Sequence, residues 1–165
     1  MIQLLTLPLL AILGYQDFKT LSVNQILIIA LVVIQFFIGL VQSENGQTYC
    51  LTSILNIALI AFQLILVTIY FKIKANVKLK NTILGTGDLF FFLFLCFAYS
   101  PLNLITFLLI SFIVTLIIHL LIKGKNEKIP LIGYLAIYCG IVFVIGINTH
   151  DDTFVSNMLS QFVEL

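Results

Sequence analysis

From Leu89 to Ile122 the chain carries no Asp, Glu, Lys or Arg. That run exceeds the roughly 20 residues one helix needs to cross a bilayer, so it must be divided. Ser100-Pro101-Leu102-Asn103 supplies the division, because proline disfavours helix in the residue before it and lacks the amide a helix interior needs. The run therefore predicts a hairpin of two membrane spans, the fourth and fifth in chain order. Other apolar runs predict the rest: Ile2 to Gln16, Gln25 to Val41, Cys50 to Phe71, and Pro130 to Asn148. The whole chain of 165 residues is 61% hydrophobic and 9% charged, with a mean hydropathy of +1.19, which places it outside the range of soluble domains. The expected fold is all-α: a six-span transmembrane helix bundle over residues 1–148. Residues 149–165 form an expected interfacial tail, in which Phe154, Met158, Leu159, Phe162 and Val163 recur at helical spacing behind Asp152-Thr153. Met1 to Leu13 has no basic leader and no small-residue cleavage site, so it reads as a retained first span.

Orientation follows from the lysines, because short loops rich in Lys or Arg stay in the cytoplasm. Lys19, Lys72, Lys74, Lys78, Lys80, Lys123, Lys125 and Lys128 all fall after spans one, three and five. Both termini are thus expected on the outer side. A net charge of +1 argues against a nucleic-acid partner; the lipid bilayer is the partner that composition implies. Cys50, Cys96 and Cys139 are isolated, with no histidine at ligand spacing, so no metal site is expected and the three read as small apolar fillers.

Two acids stand apart from this pattern. Asp88 ends Gly85-Thr86-Gly87-Asp88 and borders an apolar run, an expensive place for a carboxylate unless it has a task. Its bland reading is an ordinary helix N-cap. Asp17 ends the first span. At about 1.5 Å of rise per residue, Asp17 lies roughly 21 Å from the outer start of span one and Asp88 roughly 18 Å from the break at Ser100. The two acids therefore share a level near the cytoplasmic face, while Glu44, Glu127, Asp151, Asp152 and Glu164 belong to loops or the tail. Paired carboxylates in a low-dielectric pocket hold one proton between them, the arrangement that activates water without a metal. Gly85 and Gly87 are expected to shape the site by leaving room beside Asp88 for a substrate backbone. From the helix dipole, Asp88 at a helix start is assigned the base and Asp17 at a helix end the acid. His119, in line with Ser111 and Thr115, reads as part of a polar helix seam.

With these residues in hand, the chain resembles the GxGD intramembrane aspartyl proteases, and within them the prepilin and preflagellin peptidases, the type IV leader peptidases. Asp17-Phe18-Lys19 with Val23-Asn24 is similar to the segment holding that family's first aspartate, and Ile129-Pro130-Leu131-Ile132-Gly133 echoes a stretch before its last span. Here no proline precedes Asn24, and the spacing of Pro130 and Gly133 differs from the family's. The resemblance implies an aspartic endopeptidase of the plasma membrane, with Asp17 and Asp88 catalytic and no cofactor. Lys19, Asn24, Pro130 and Gly133 are then candidate substrate-contact or structural positions. The implied partners are type IV pilin-like precursors, whose short basic leaders are removed at the cytoplasmic face. The paired cysteines that accompany N-methylation in larger members are absent from this sequence. Two alternatives stand beside this reading: a small cation-coupled transporter, and a non-catalytic pilus or secretion assembly protein on the same scaffold. No feature specifies an oligomeric state.

Overall fold

The computed structural model describes residues 6–43, 45–75, 85–122 and 130–148, and these form six helices with no strand among them. They are α1 (Thr6–Thr20), α2 (Gln25–Gln42), α3 (Gly46–Ala75), α4 (Thr86–Ala98), α5 (Pro101–Ile122) and α6 (Leu131–Asn148). Three stretches are long and apolar enough to cross a membrane: Gln25–Gln42, Gly46–Ile69 and Pro101–Ile118. The helix Thr86–Ala98 and the apolar stretch Leu131–Val144 are shorter. The expected interfacial tail and Lys78, Lys80, Lys123, Lys125 and Lys128 lie outside the described residues.

Helix boundaries follow local chemistry. Asn24 caps α2, its side-chain oxygen accepting from the Ile26 amide at 3.0 Å. Asn45 does the same for α3, accepting from Gln47 at 3.1 Å. That cap starts α3 at Gly46, four positions before the expected Cys50, and the helix continues past Phe71 through Lys72 and Lys74. Those lysines extend a helix instead of opening a loop, because lysine is a good helix former. The break at Ser100-Pro101 is present as expected. Tyr99 is extended, the Ser100 carbonyl accepts from Leu104 at 2.8 Å, and Pro101 takes the first helical position, where its missing amide costs nothing.

The first span differs most from expectation. α1 does not stop at Gln16 but runs to Thr20, so Asp17 lies within its last turn. The helix closes when Leu21 turns left-handed at φ 51°, donating its amide to the Asp17 carbonyl at 2.9 Å. A non-glycine residue in that region is strained by roughly 1–2 kcal/mol. Leu21→Gly is therefore expected to stabilise the protein by about 0.5–1 kcal/mol, read as a raised unfolding midpoint in detergent.

The most extensive helix pairings are α1 with α6 and α2 with α4. Phe91, Phe94, Leu95, Leu13, Leu31, Leu135 and Cys139 are fully buried between them. Large apolar side chains also cover the outside: Leu51, Ile54, Phe62 and Leu66 on α3, and Leu109, Ile110, Ile113 and Leu116 on α5, are all more than half exposed. Apolar surface on that scale requires a partner other than water, and hydrocarbon is the one that fits helices of this length. α1 and α6 approach closely because their facing residues are small. A side chain on Gly14 would stand 3.6 Å from Ala136 Cβ and 3.7 Å from the Gly133 carbonyl.

α4 is only 13 residues long, about 20 Å at the helical rise. Its C-terminal carbonyls end among packed side chains and need donors from the protein. α3 supplies them. Asn56, fully buried, donates through Nδ2 to the carbonyls of Cys96 at 2.9 Å and Tyr99 at 2.7 Å. The Tyr49 hydroxyl donates to the Phe97 carbonyl at 3.2 Å, reaching it because its ring lies on the bare face of Gly39. Ser111 and Thr115 are buried on α5, but no bond from either crosses to another helix as the expected polar seam would require: Ser111 donates within its own helix to the Leu108 carbonyl, and the Thr115 hydroxyl has no partner among the described residues. Cys96 and Cys139 fill the core as expected, whereas Cys50 is exposed.

Candidate active site

Asp17 and Asp88 come from the first and fourth helices and stand at neighbouring helix ends. Asp17 stands on the last turn of α1 and is buried, 6% exposed. Its Oδ2 accepts the Gly133 amide at 2.7 Å, with the Ile132 amide adding to the contact. Both amides belong to the first turn of α6, where helix N–H groups lack intrahelical partners. The α6 turn is itself set by Pro130, whose carbonyl accepts from Tyr134 at 3.2 Å. Asp17 thus supplies from α1 the acceptor that the start of α6 needs.

Asp88 lies on the first turn of α4 and is half-buried. It is not the N-cap. Gly85 holds that position, and Asp88, three residues in, turns its Oδ2 back to accept the Gly85 amide at 3.0 Å. The bland reading is therefore half realised: one oxygen of Asp88 does capping work. The two acids stand at neighbouring helix ends: Gly87, beside Asp88, faces Ile132, beside the Gly133 amide that Asp17 binds. Each is also bonded to amides at a helix N-terminus, Asp88 at α4 and Asp17 at α6. Asp17 ends α1 but also faces the start of α6, so the helix dipoles do not distinguish it from Asp88 as acid from base.

Neighbouring segments close around the pair. A side chain on Gly87 would stand 3.2 Å from Ile132 Cδ1 and 3.8 Å from Val23 Cβ, so its bare face admits α6 and the α1–α2 connection. Room expected there for a substrate backbone is taken by Ile132. Gly85 is exposed and has only the Asp88 carboxylate close to its bare face, at 3.4 Å. Thr86 accepts a hydrogen bond from Gln25 Nε2 at 3.2 Å, which ties α4 to the start of α2. The Asn24 amide donates to Gln16 Oε1 at 3.3 Å, and its side chain caps α2, so Asn24 has a structural task.

Pro130 and Gly133 likewise act on the acid pair through structure. Lys19 is exposed and extends over the Tyr15 ring, 5.7 Å from its centroid, rather than toward either acid. No group of three or more metal-ligating side chains occurs among the described residues. The other five acids and the side chain of His119 lie outside the described residues. Phe18, Ile132 and Gln16 have no chemistry to mark them in sequence; they matter here only because of what they touch.

Neither a protein-family model, nor a curated protein, nor a solved structure matches the chain. The functional reading accordingly rests on the site itself. Two carboxylates stand at neighbouring helix ends, one buried and one half-buried, each held by a backbone amide at a helix start. In such a pair one member accepts a proton from water while the other delivers one to a carbonyl oxygen.

Proposed function

We propose that the chain is a membrane-embedded aspartyl endopeptidase that removes short basic leaders from type IV pilin-like precursors. The observation that carries the reading is that Asp17 and Asp88 stand at neighbouring helix ends joined through α6, Asp17 on the Gly133 amide at 2.7 Å and Gly87, beside Asp88, against Ile132. All six helices are taken to lie in the membrane, with the termini outside and the acid pair at the cytoplasmic face, as the lysine distribution requires. Bonds to the Gly133 and Gly85 amides fix the orientation of both carboxylates before substrate arrives, the condition under which an acid–base pair is effective.

In the reaction, a water lies between the carboxylates and the scissile carbonyl. One carboxylate takes its proton as oxygen attacks the carbonyl carbon; the protonated partner donates to the carbonyl oxygen, giving a neutral gem-diol. The first carboxylate then passes its new proton to the leaving nitrogen while the second removes a hydroxyl proton from the gem-diol; the C–N bond breaks, a carboxylic acid and an amine leave, and the pair is again singly protonated. Like charges held together cannot both ionise easily, so the shared proton is present at the start. The pair titrates jointly and either member can begin as the base.

The test is a cleavage assay in membranes with a pilin-like precursor, comparing wild type with Asp17→Asn and Asp88→Asn. Loss of cleavage in both, with folding retained, supports the peptidase. Cleavage that survives either substitution removes the dyad, and cation uptake without cleavage points to a transporter.

A further inference from the structure

Phe18 follows Asp17 on the last turn of α1 and is 42% exposed. An aromatic ring at that exposure would usually be read as one more lipid-facing side chain. Its position says otherwise. A side-chain carbon on Gly133 would lie 2.8 Å from Phe18 Cε2, 3.0 Å from Cδ2 and 3.1 Å from Cζ, so the ring occupies the notch left by the missing side chain. The same ring meets Tyr134 edge-on, with centroids 5.1 Å apart and planes at 88°. Phe18 also lines an apolar groove between α1 and α6, of about 630 Å³, whose wall includes Gly14, Ala136 and Gly140. The residue on one side of Phe18 in sequence is the buried acid; the residue under its ring supplies that acid's amide.

We propose that Phe18 is a positioning residue for the acid pair: seated on Gly133 and against Tyr134, its ring holds the last turn of α1 to the first turn of α6 so that the Asp17 carboxylate stays on the Gly133 amide. The hydrogen bond alone is a single contact between two helices. The ring adds a second contact one residue away on each chain, and two such contacts fix both the separation and the rotation of the two turns. Glycine is required at 133 because any side chain there displaces the ring. The catalytic consequence rests on the peptidase reading, while the packing claim does not.

Two substitutions approach the clamp from opposite sides, Gly133→Ala by adding bulk and Phe18→Ala by removing the ring. In the purified full chain, each is expected to lower kcat on a pilin-like precursor by on the order of tenfold or more with KM within about twofold, as a small misplacement of a catalytic group does. Phe18→Leu relieves the crowding, so the double variant Phe18→Leu with Gly133→Ala is expected to cleave about as fast as Phe18→Leu alone; effects that simply add would overturn the clamp. An activity-free readout runs in parallel: labelling by a hydrophobic carbodiimide, scored at Asp17 against half-buried Asp88 by peptide mass spectrometry. Asp17 labelling is expected to rise in Gly133→Ala and Phe18→Ala and to fall back in the double variant. Wild type that never cleaves, with labelling that responds as described, refutes the peptidase and leaves the clamp standing. Normal cleavage with Asp17 labelling unchanged in both single variants refutes the clamp and leaves the peptidase standing. Phe18→Ala, which introduces no bulk, decides the matter if Gly133→Ala does not fold.

Discussion

Asp17→Asn and Asp88→Asn are each expected to lower cleavage of a pilin-like precursor by roughly 10²–10⁴-fold, the range that a positioned acid or base contributes. Asparagine is the informative replacement because it keeps the structural half of each residue's work. Its side-chain oxygen still accepts the Gly133 amide at position 17 or the Gly85 amide at position 88, the two bonds observed at 2.7 and 3.0 Å. What it loses is the ability to exchange a proton. Unfolding midpoints in detergent should therefore stay near wild type while turnover collapses. Under the proposed mechanism the two acids act as one unit, so the double substitution is expected to cost little more than either single one. A double variant showing the product of the two single losses would mean the carboxylates act independently, against the shared-proton mechanism.

The second large effect is expected far from the chemistry. Asn56→Leu removes the donor that serves the Cys96 and Tyr99 carbonyls at the end of α4. An unsatisfied buried group costs about 1–3 kcal/mol, whereas interhelical hydrogen bonds in membranes average about 0.6 kcal/mol because the unfolded reference also finds partners. The larger figure governs here, since both carbonyls end inside the bundle next to Leu95 and Cys96, which are buried. Part of the loss is returned, because Asn56 Oδ1 has no partner among the described residues and leaves with the side chain. The expected net loss is about 2 kcal/mol, read as a lowered unfolding midpoint. Thr115→Val is the matched control. Thr115 is buried and its hydroxyl also lacks a partner among the described residues, so removing it should be neutral or slightly stabilising. Equal losses in the two variants would show that burial at these positions matters and the α4 cap does not.

Some of this protein was legible before any coordinates. The apolar runs and the proline at 101 predicted an all-helical chain with a break at Ser100-Pro101, because apolar runs and proline's missing amide are local properties; of the six expected spans, three are long and apolar enough to cross a membrane among the described residues. Asp17 and Asp88 stood out for the same reason: a carboxylate beside hydrocarbon is costly wherever the chain goes. Boundaries were less legible. α1 continues to Thr20 because Leu21 accepts a left-handed conformation, which nothing about leucine announces. Gly87 illustrates the limit from the other side. Its small size was evident, but whether the space beside it stays open depends on what packs there, and Ile132 does.

The sequence by itself therefore determined the helices, their apolar character and the two acids, since each follows from interactions within a few residues or with the surrounding solvent. Only the tertiary structure decided that Asp17 binds the start of α6, that Phe18 fills the notch at Gly133, and that Asn56 ends α4. Those contacts join residues 40 or more positions apart; two of them give partners to orphaned helix-end amides and carbonyls, the third is ring packing, and all three exist only when the helices meet.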